Sequence, residues 1–343
     1  MKARSILPVL LLAALLLAGC GAGQSGGSAP EPSPDPTPAE LRLPEPLSEE
    51  ESRAMAMVLN ANRVLLGDEV LFCYDFDEDW KPVLARYRWK DGELSGFAVV
   101  AEGCVPEYLC RTGSKLYYID RSSGALERVS EWGGKREVLN AGPCRWLCLR
   151  QGLLYFCDRE GRFLSLDPKT REETELLAGP CAFAYPLEGA ILWQDAAERG
   201  IFLTDTVNQV TRQLSRGPVG APLLLEDRLW FYCAGAVHGL SLEGDSPKVY
   251  WVPETDGAVE LLPESGGLLL RGIRETKGTA QWSGAPHGPF RFLPRGYRVC
   301  DWLGDGLRVD TVYEPDGRIL CYELRDGEGR ELRFLAGNVE PET

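Results

Sequence analysis

The stretch AGPCRWLCLRQGLLYFCD (residues 141–158), continuing after Arg159 and Glu160 as GRFLSLDPKTREETELL (residues 161–177), is followed at once by a second AGPC at Ala178–Cys181. The second copy begins 37 residues after the first. Between the copies, short apolar runs such as Leu153–Cys157, Arg162–Leu166 and Glu172–Leu177 are separated by Gly, Asp and Pro, which is the chemistry of strands and tight turns. A unit of this size has room for four short strands. Its period exceeds the 20–35 residues of most solenoids and matches one propeller blade.

Working outward, the clearest run of each unit begins at Leu71 (LFCYD), Leu116 (LYYID), Leu154 (LYFCD), Ile191 (ILWQD), Leu229 (LWFYC), Leu268 (LLLRG) and Leu307 (LRVDT), at intervals of 45, 38, 37, 38, 39 and 39 residues. The sequence therefore predicts an all-β, seven-bladed β-propeller with four-stranded antiparallel blades, each run being the second strand of its blade. These runs are apolar without alternation, as expected of strands covered on both faces by neighbouring blades. Tyr117, Tyr155, Trp193 and Trp230 then supply inter-blade packing. All six junctions between units carry both Pro and Gly, residues suited to the sharp crossing from the outside of one blade to the axis of the next.

Ser48-Glu49-Glu50-Glu51 has the spacing of a capping box and predicts a short helix before the first strand. The first inner strand is expected near Met57 and the last outer strand at Arg330–Leu335. No strand is left over to complete the first blade from the other end, so closure is expected to rest on side-chain packing between the first and last blades.

At the N-terminus, Lys2 and Arg4 precede an apolar run from Ile6 to Leu17, about a dozen residues and too short to span a bilayer. The run ends in Leu17-Ala18-Gly19-Cys20, which resembles the lipobox of bacterial lipoproteins. The resemblance implies cleavage after residue 19, a lipid on Cys20, and a protein anchored to the cell membrane on its extracytoplasmic side. Residues 20–47 are rich in Gly, Ser and Pro, with prolines at 30, 32, 34, 36 and 38, and read as a disordered, semi-stiff tether. The organisation expected is thus a signal peptide at 1–19, a tether at 20–47 and the propeller at 48–343. Loss of Lys2 and Arg4 would take 37 basic side chains to 35 against 51 acids, a formal charge of −16. That balance argues against nucleic acid and against flat docking on anionic lipid.

Leu116–Asp120, Leu154–Asp158 and Ile191–Asp195, each followed by an apolar residue on the next strand (Leu126, Leu164 and Phe202), resemble YWTD-type propeller repeats. The resemblance is loose and implies the fold only. With the lipobox, it makes the chain similar to bacterial lipoproteins that carry a propeller.

In a propeller the junctions between blades and the loops after the second strands share one face. Asp75, Asp120, Asp158 and Asp195 fall there, as does the acidic stretch Asp75-Phe76-Asp77-Glu78-Asp79-Trp80, which reads as an insertion lengthening the first unit. These eight chemical positions (Asp75, Asp77, Glu78, Asp79, Trp80, Asp120, Asp158, Asp195) form the candidate binding face. The competing reading is that an aspartate ending a strand simply accepts amides of the following turn. No catalytic residue is assigned, and no cofactor or metal is expected. Asp75–Asp79 lacks the Gly and the distal acid of a calcium loop, since Trp80 and Arg86 stand in their places. His238 and His287, the only histidines, have no nucleophile motif beside them.

Apart from Cys20, ten cysteines remain without a C-x-x-C pair, which excludes the usual zinc spacing. Free buried thiols suit inner strands, where converging blades need small apolar residues. Cys144 with Cys181 and Cys110 with Cys148, at equivalent places on adjacent units, are the pairs a disulfide would otherwise join. The function expected is a non-catalytic, lipid-anchored binding or scaffold protein whose partner is a protein, peptide or glycan. A carbohydrate-active hydrolase or lyase using carboxylates of the same face is the alternative.

Overall fold

The computed structural model describes residues 40–336 apart from residues 60, 198–199, 218–221, 226–227, 234–235, 244–246, 252–258, 265–266, 273–278, 283–289, 294–297, 305–306, 314–318 and 327. The signal peptide, Cys20 and most of the expected tether lie outside the described residues, as does His287. Among the described residues, 28 strands form seven four-stranded antiparallel sheets, each built from four strands consecutive in sequence. The arrangement is β-propeller-like. Every anchor read from the sequence lies in the second strand of its sheet: Val70–Phe76, Lys115–Asp120, Leu153–Cys157, Ala190–Asp195, Arg228–Cys233, Gly267–Gly272 and Leu307–Tyr313.

Second strands are the best buried because both their faces are covered. Leu71, Phe72, Leu116, Tyr118, Leu154, Phe156 and Leu192 are fully buried there. Outer strands such as Glu173–Leu177 are mostly exposed and carry charge.

The repeated AGPC is a stitch between sheets. The amide of Cys144, opening the third sheet, donates to the carbonyl of Gly124 in a turn of the second sheet at 2.8 Å; that of Cys181, opening the fourth, donates to Gly161 of the third at 2.7 Å. Pro143 and Pro180 press on those glycines. A Cβ on Gly124 would come within 2.8 Å of Pro143 Cα, and one on Gly161 within 3.1 Å of Pro180 Cα. Both glycines also have φ near +75°, at +73° and +79°, which a side chain disfavours. Glycine is therefore required twice over, by contact and by backbone.

The capping box forms as expected. Glu51 N–H donates to Ser48 Oγ at 3.2 Å, and Ser48 N–H donates to Glu51 Oε2 at 3.0 Å. The helix runs over Glu49–Leu59, so Met57 is helical and the first strand begins later, at Val64. An isolated helix of this length is marginal in water. Tertiary packing holds this one, because Met55 is fully buried, Val58 nearly so, and the helix lies against the inner strands Arg145–Arg150, Leu223–Leu225 and Val259–Glu264 of three different sheets. Arg150 donates to Glu51 Oε1 at 2.7 Å and to Pro186 O at 2.9 Å. Upstream, Arg42 N–H donates to Asp205 Oδ2 at 2.8 Å, Asn208 Nδ2 donates to Glu40 O at 3.0 Å, and Leu41 and Leu43 pack on the same core as the helix.

The first and seventh sheets exchange no strand. They meet through packing, with Val64, Leu71 and Cys73 of the first in one apolar cluster with Leu307, Val309, Tyr322 and Leu324 of the seventh. Two arginines rivet the seam. Arg63 sits between the rings of Tyr74 and Tyr322, at 5.8 and 5.5 Å, and reaches Glu107 of the second sheet at 2.5 Å. Arg333, on the last strand, lies 5.1 Å from the Tyr87 ring and donates to Asp75 at 2.7 Å. Each cation–π contact of this kind contributes about 0.5–2 kcal/mol.

One expectation needs correction. The linker after the second strand is five residues long in each of the first four sheets (77–81, 121–125, 158–162 and 196–200), so the acidic loop is no insertion. The extra length of the first unit lies instead in its outer strands, Pro82–Lys90 and Glu93–Glu102, of nine and ten residues. Cys144, Cys181, Cys110 and Cys148 are all free, as the reading of inner-strand cysteines as small apolar residues has it, and burial pushes the first, second and fourth thiols up to about 12.

Candidate functional site

The hydrogen bonds of the turns show which face each loop occupies. Arg121 N–H donates to Val105 O, and Ala196 N–H donates to Pro180 O, both between a loop after a second strand and a junction between sheets. Junctions and second-strand loops thus lie together in these units.

Asp120 is buried, and its carboxylate accepts from Val105 N, Ser122 N and the hydroxyls of Ser122 and Ser123 at 2.8–3.2 Å. Asp158 is buried and accepts from Arg162 N at 2.9 Å and Arg162 Nε at 2.8 Å. Asp75 is buried among Tyr87 Oη, Arg333 Nε and the amide of Phe76. Asp195, half-buried, accepts from Ala197 N at 2.9 Å. The first three carboxylates are enclosed in turns and in the seam rather than presented to solvent, as the turn reading of a strand-ending aspartate requires.

Residues 77–81 are different. Asp77 N–H donates to Lys81 O at 3.0 Å, Trp80 N–H to Asp77 O at 3.1 Å, and Lys81 N–H to Asp77 Oδ1 at 2.9 Å. The same three bonds recur in two other turns. Asp158 pairs in this way with Gly161 and Arg162, and Asp326 with Gly329 and Arg330. In sequence the turns read DEDWK, DREGR and DGEGR. Their fourth residue needs a left-handed backbone, with φ +79° at Gly161, +85° at Gly329 and +59° at Trp80. Trp80 thus stands where the other two turns have glycine. Holding a bulky residue there costs about 1–2 kcal/mol.

The side chain does not recover that cost by burial. Trp80 is 80% exposed, against Phe76 at a ring separation of 6.0 Å. Glu78 and Asp79 flank it and are also exposed. In the other two turns the final arginine folds back on the first aspartate, whereas Lys81 Nζ turns to Asp79 Oδ2 at 3.1 Å. That contact, followed by the field of Asp79 and Asp77, raises the lysine's pKa. The loop therefore offers an indole face beside a net negative charge.

Sequence reading found the loop but missed its relation to the glycine turns, although the shared Asp-x-acid-x-cation pattern was visible. It also missed Arg63 and Arg333. Among the described residues no group of acids, cysteines and histidines is arranged to hold a metal ion, and no helix is long and apolar enough to cross a membrane.

No protein-family model and no curated protein matches the chain. Among solved structures, a puromycin-hydrolysing peptidase of Mycobacterium tuberculosis superposes with a TM-score of 0.55 at 15% identity, over 86% of this chain and 55% of that one. The chain thus spans about half the length of that structure, and at this identity the likeness concerns the fold alone. Apo AztD from Citrobacter koseri (TM-score 0.46, 14% identity, 78% and 81% coverage) and BamB from Moraxella catarrhalis (0.44, 13%, 80% and 84%) are more distant.

Proposed function

We propose that the seven sheets are the blades of one seven-bladed propeller, closed by packing between the first and last, and that it serves as a non-catalytic binding or scaffold module. The working surface is the loop Asp77–Trp80, and the partner is a protein, peptide or glycan that stacks on Trp80 within reach of Glu78 and Asp79. The module is held outside the cytoplasm by a lipid on Cys20 and a tether ending near residue 39, where the chain docks on the fourth sheet. The N-terminal Leu-Ala-Gly-Cys and the proline-rich segment behind it support this address.

The observation that carries the reading is the placement of Trp80. A turn that elsewhere uses glycine here accepts backbone strain to display a large, exposed aromatic ring. Strain held without a packing return is a mark of functional sites. The burial and pairing of Asp75, Asp120 and Asp158 weigh against a hydrolase built on them, since such chemistry needs two accessible carboxyl groups about 5–10 Å apart.

The test compares partners captured by proximity labelling from cells carrying wild type or Asp77→Asn/Asp79→Asn. Loss of the principal labelled species, with the thermal transition nearly unchanged, is expected. An unaltered labelling pattern sinks the assignment of this loop. For the address, Cys20→Ser should release the protein from membranes, and retention would refute the lipid anchor.

A further inference from the structure

Residues 40–59 do more than connect. Glu40–Leu47 is bound to the fourth sheet through Asp205 and Asn208, and the helix behind it lies on inner strands of the third, fifth and sixth sheets. In a closed ring those strands stand on different sides of the axis, so a helix touching all three occupies the axis itself. Its side chains fit that position. Met55 is fully buried, and Met55 and Val58 belong to one apolar cluster with Leu147, Cys148, Phe183 and Leu224.

We propose that this segment is a strap and lock for the channel: the helix fills the central channel and ties together the third, fifth and sixth sheets, while the strap before it holds the fourth. The inference rests on the ring proposed above. It does not rest on the Asp77–Trp80 surface, which is tested by partner capture, so the two can fail separately.

The inner strands Arg145–Arg150, Leu223–Leu225 and Val259–Glu264 belong to three sheets that share no strand, and the helix lies against all three. The Glu51–Arg150 ion pair at 2.7 Å fixes its first turn to the third sheet. A ligand path along the axis is closed by the same helix, which confines binding to the surface loops.

The test uses the full chain with Ala54→Pro. Ala54 is exposed, so the change removes no core contact, but proline inside a helix removes a hydrogen bond and clashes with the preceding turn, at a cost of about 3 kcal/mol. Buried Cys148, on an inner strand under the helix, reports access from the channel; buried Cys104, after the outer strand of the first sheet, reports global opening. Native alkylation by N-ethylmaleimide, read by peptide mass spectrometry, should be at least about ten-fold faster at Cys148 in the variant and unchanged at Cys104. Unchanged labelling of Cys148 while amides 52–58 exchange freely overturns the lock, as does parallel acceleration at both thiols. If the variant does not fold, wild-type hydrogen exchange decides. Amides 52–58 protected as well as those of 146–149 support the lock, and fast exchange of 52–58 with Cys148 still protected refutes it.

Discussion

Arg333 Nε donates to Asp75 Oδ2 at 2.7 Å across 258 positions of sequence, fastening the last strand to the second strand of the first sheet. Asp75 is almost wholly buried and Arg333 half-exposed. Removing the arginine leaves an enclosed carboxylate with Tyr87 as its remaining side-chain donor among the contacts described. Arg333→Ala should cost about 1–3 kcal/mol, the range for stranding a buried acceptor. Adding Asp75→Asn should recover part of that loss, because the uncompensated charge is then gone. Urea midpoints of the two single variants and the double variant measure the coupling; strict additivity would mean that the pair contributes nothing to closure.

The repeat was legible because second strands are covered on both faces, which forces a recurring apolar run wherever the chain makes a new sheet. Leu116, Leu154 and Ile191 mark it without ambiguity. The helix boundary was not legible. Met55, Met57 and Val58 suit a buried strand as well as a buried helix, and the arbiter is the inner strands against which the helix lies. Nor was the seam, since no spacing rule connects Arg333 to Asp75. At the candidate site residues 77–80 form the expected loop, but Asp75 and Phe76 belong to the second strand, and the loop was misread as an insertion because the long outer hairpin Pro82–Glu102 inflates the first unit.

The AGPC stitch separates two effects of a methyl group. Gly152→Ala meets nothing within 4 Å but keeps φ at +79°, so its cost is the left-handed backbone alone, about 1–2 kcal/mol. Gly124→Ala has the same strain and also drives Cβ onto the backbone of Pro143. It should therefore be the more damaging of the two by at least about 1 kcal/mol. Equal losses in matched denaturation curves would show that the junction relaxes freely.

The strap carries its own pH dependence. The amide of Asn208 holds the Asp205 carboxyl below the usual range against the effect of burial, joined by the amides of Arg42 and Val207. A lowered folded pKa means stability present above the unfolded value near 4 and lost as pH falls through the folded one. Wild type should exceed Asp205→Asn in stability at neutral pH, and the difference should shrink below pH 4. Exchange of the Arg42 amide should rise over the same interval. A stability difference that is constant from pH 7 to pH 2 would exclude this titration as its source.

Buried, protonated thiols should be silent in the native state. Cys144, Cys148 and Cys181 are enclosed, and burial raises each to about 12, so little thiolate exists at neutral pH. Native protein should take up N-ethylmaleimide at these positions only on the timescale of unfolding, while denatured protein reacts at once. Fast native labelling of Cys144 would mean that the stitch at Gly124 opens locally.

Trp80 allows stability and function to be set against each other. Replacing it by glycine restores the residue found in the turns of Asp158 and Asp326 and removes the left-handed strain at φ +59°. The relief, about 1–2 kcal/mol, is partly offset by the extra freedom glycine gives the unfolded chain, about 0.4–1 kcal/mol. Little packing is lost, because the ring is 80% exposed and touches Phe76 alone among the aromatic neighbours. Trp80→Gly should therefore be as stable as wild type or up to about 1 kcal/mol more so. Trp80→Ala keeps the strain and loses the ring, and should be slightly less stable than wild type. Both should lose partner capture, since both lose the indole face. Capture that survives in Trp80→Gly would show that the ring has no binding role; a marked loss of stability in that variant would show that the ring is instead a structural contact.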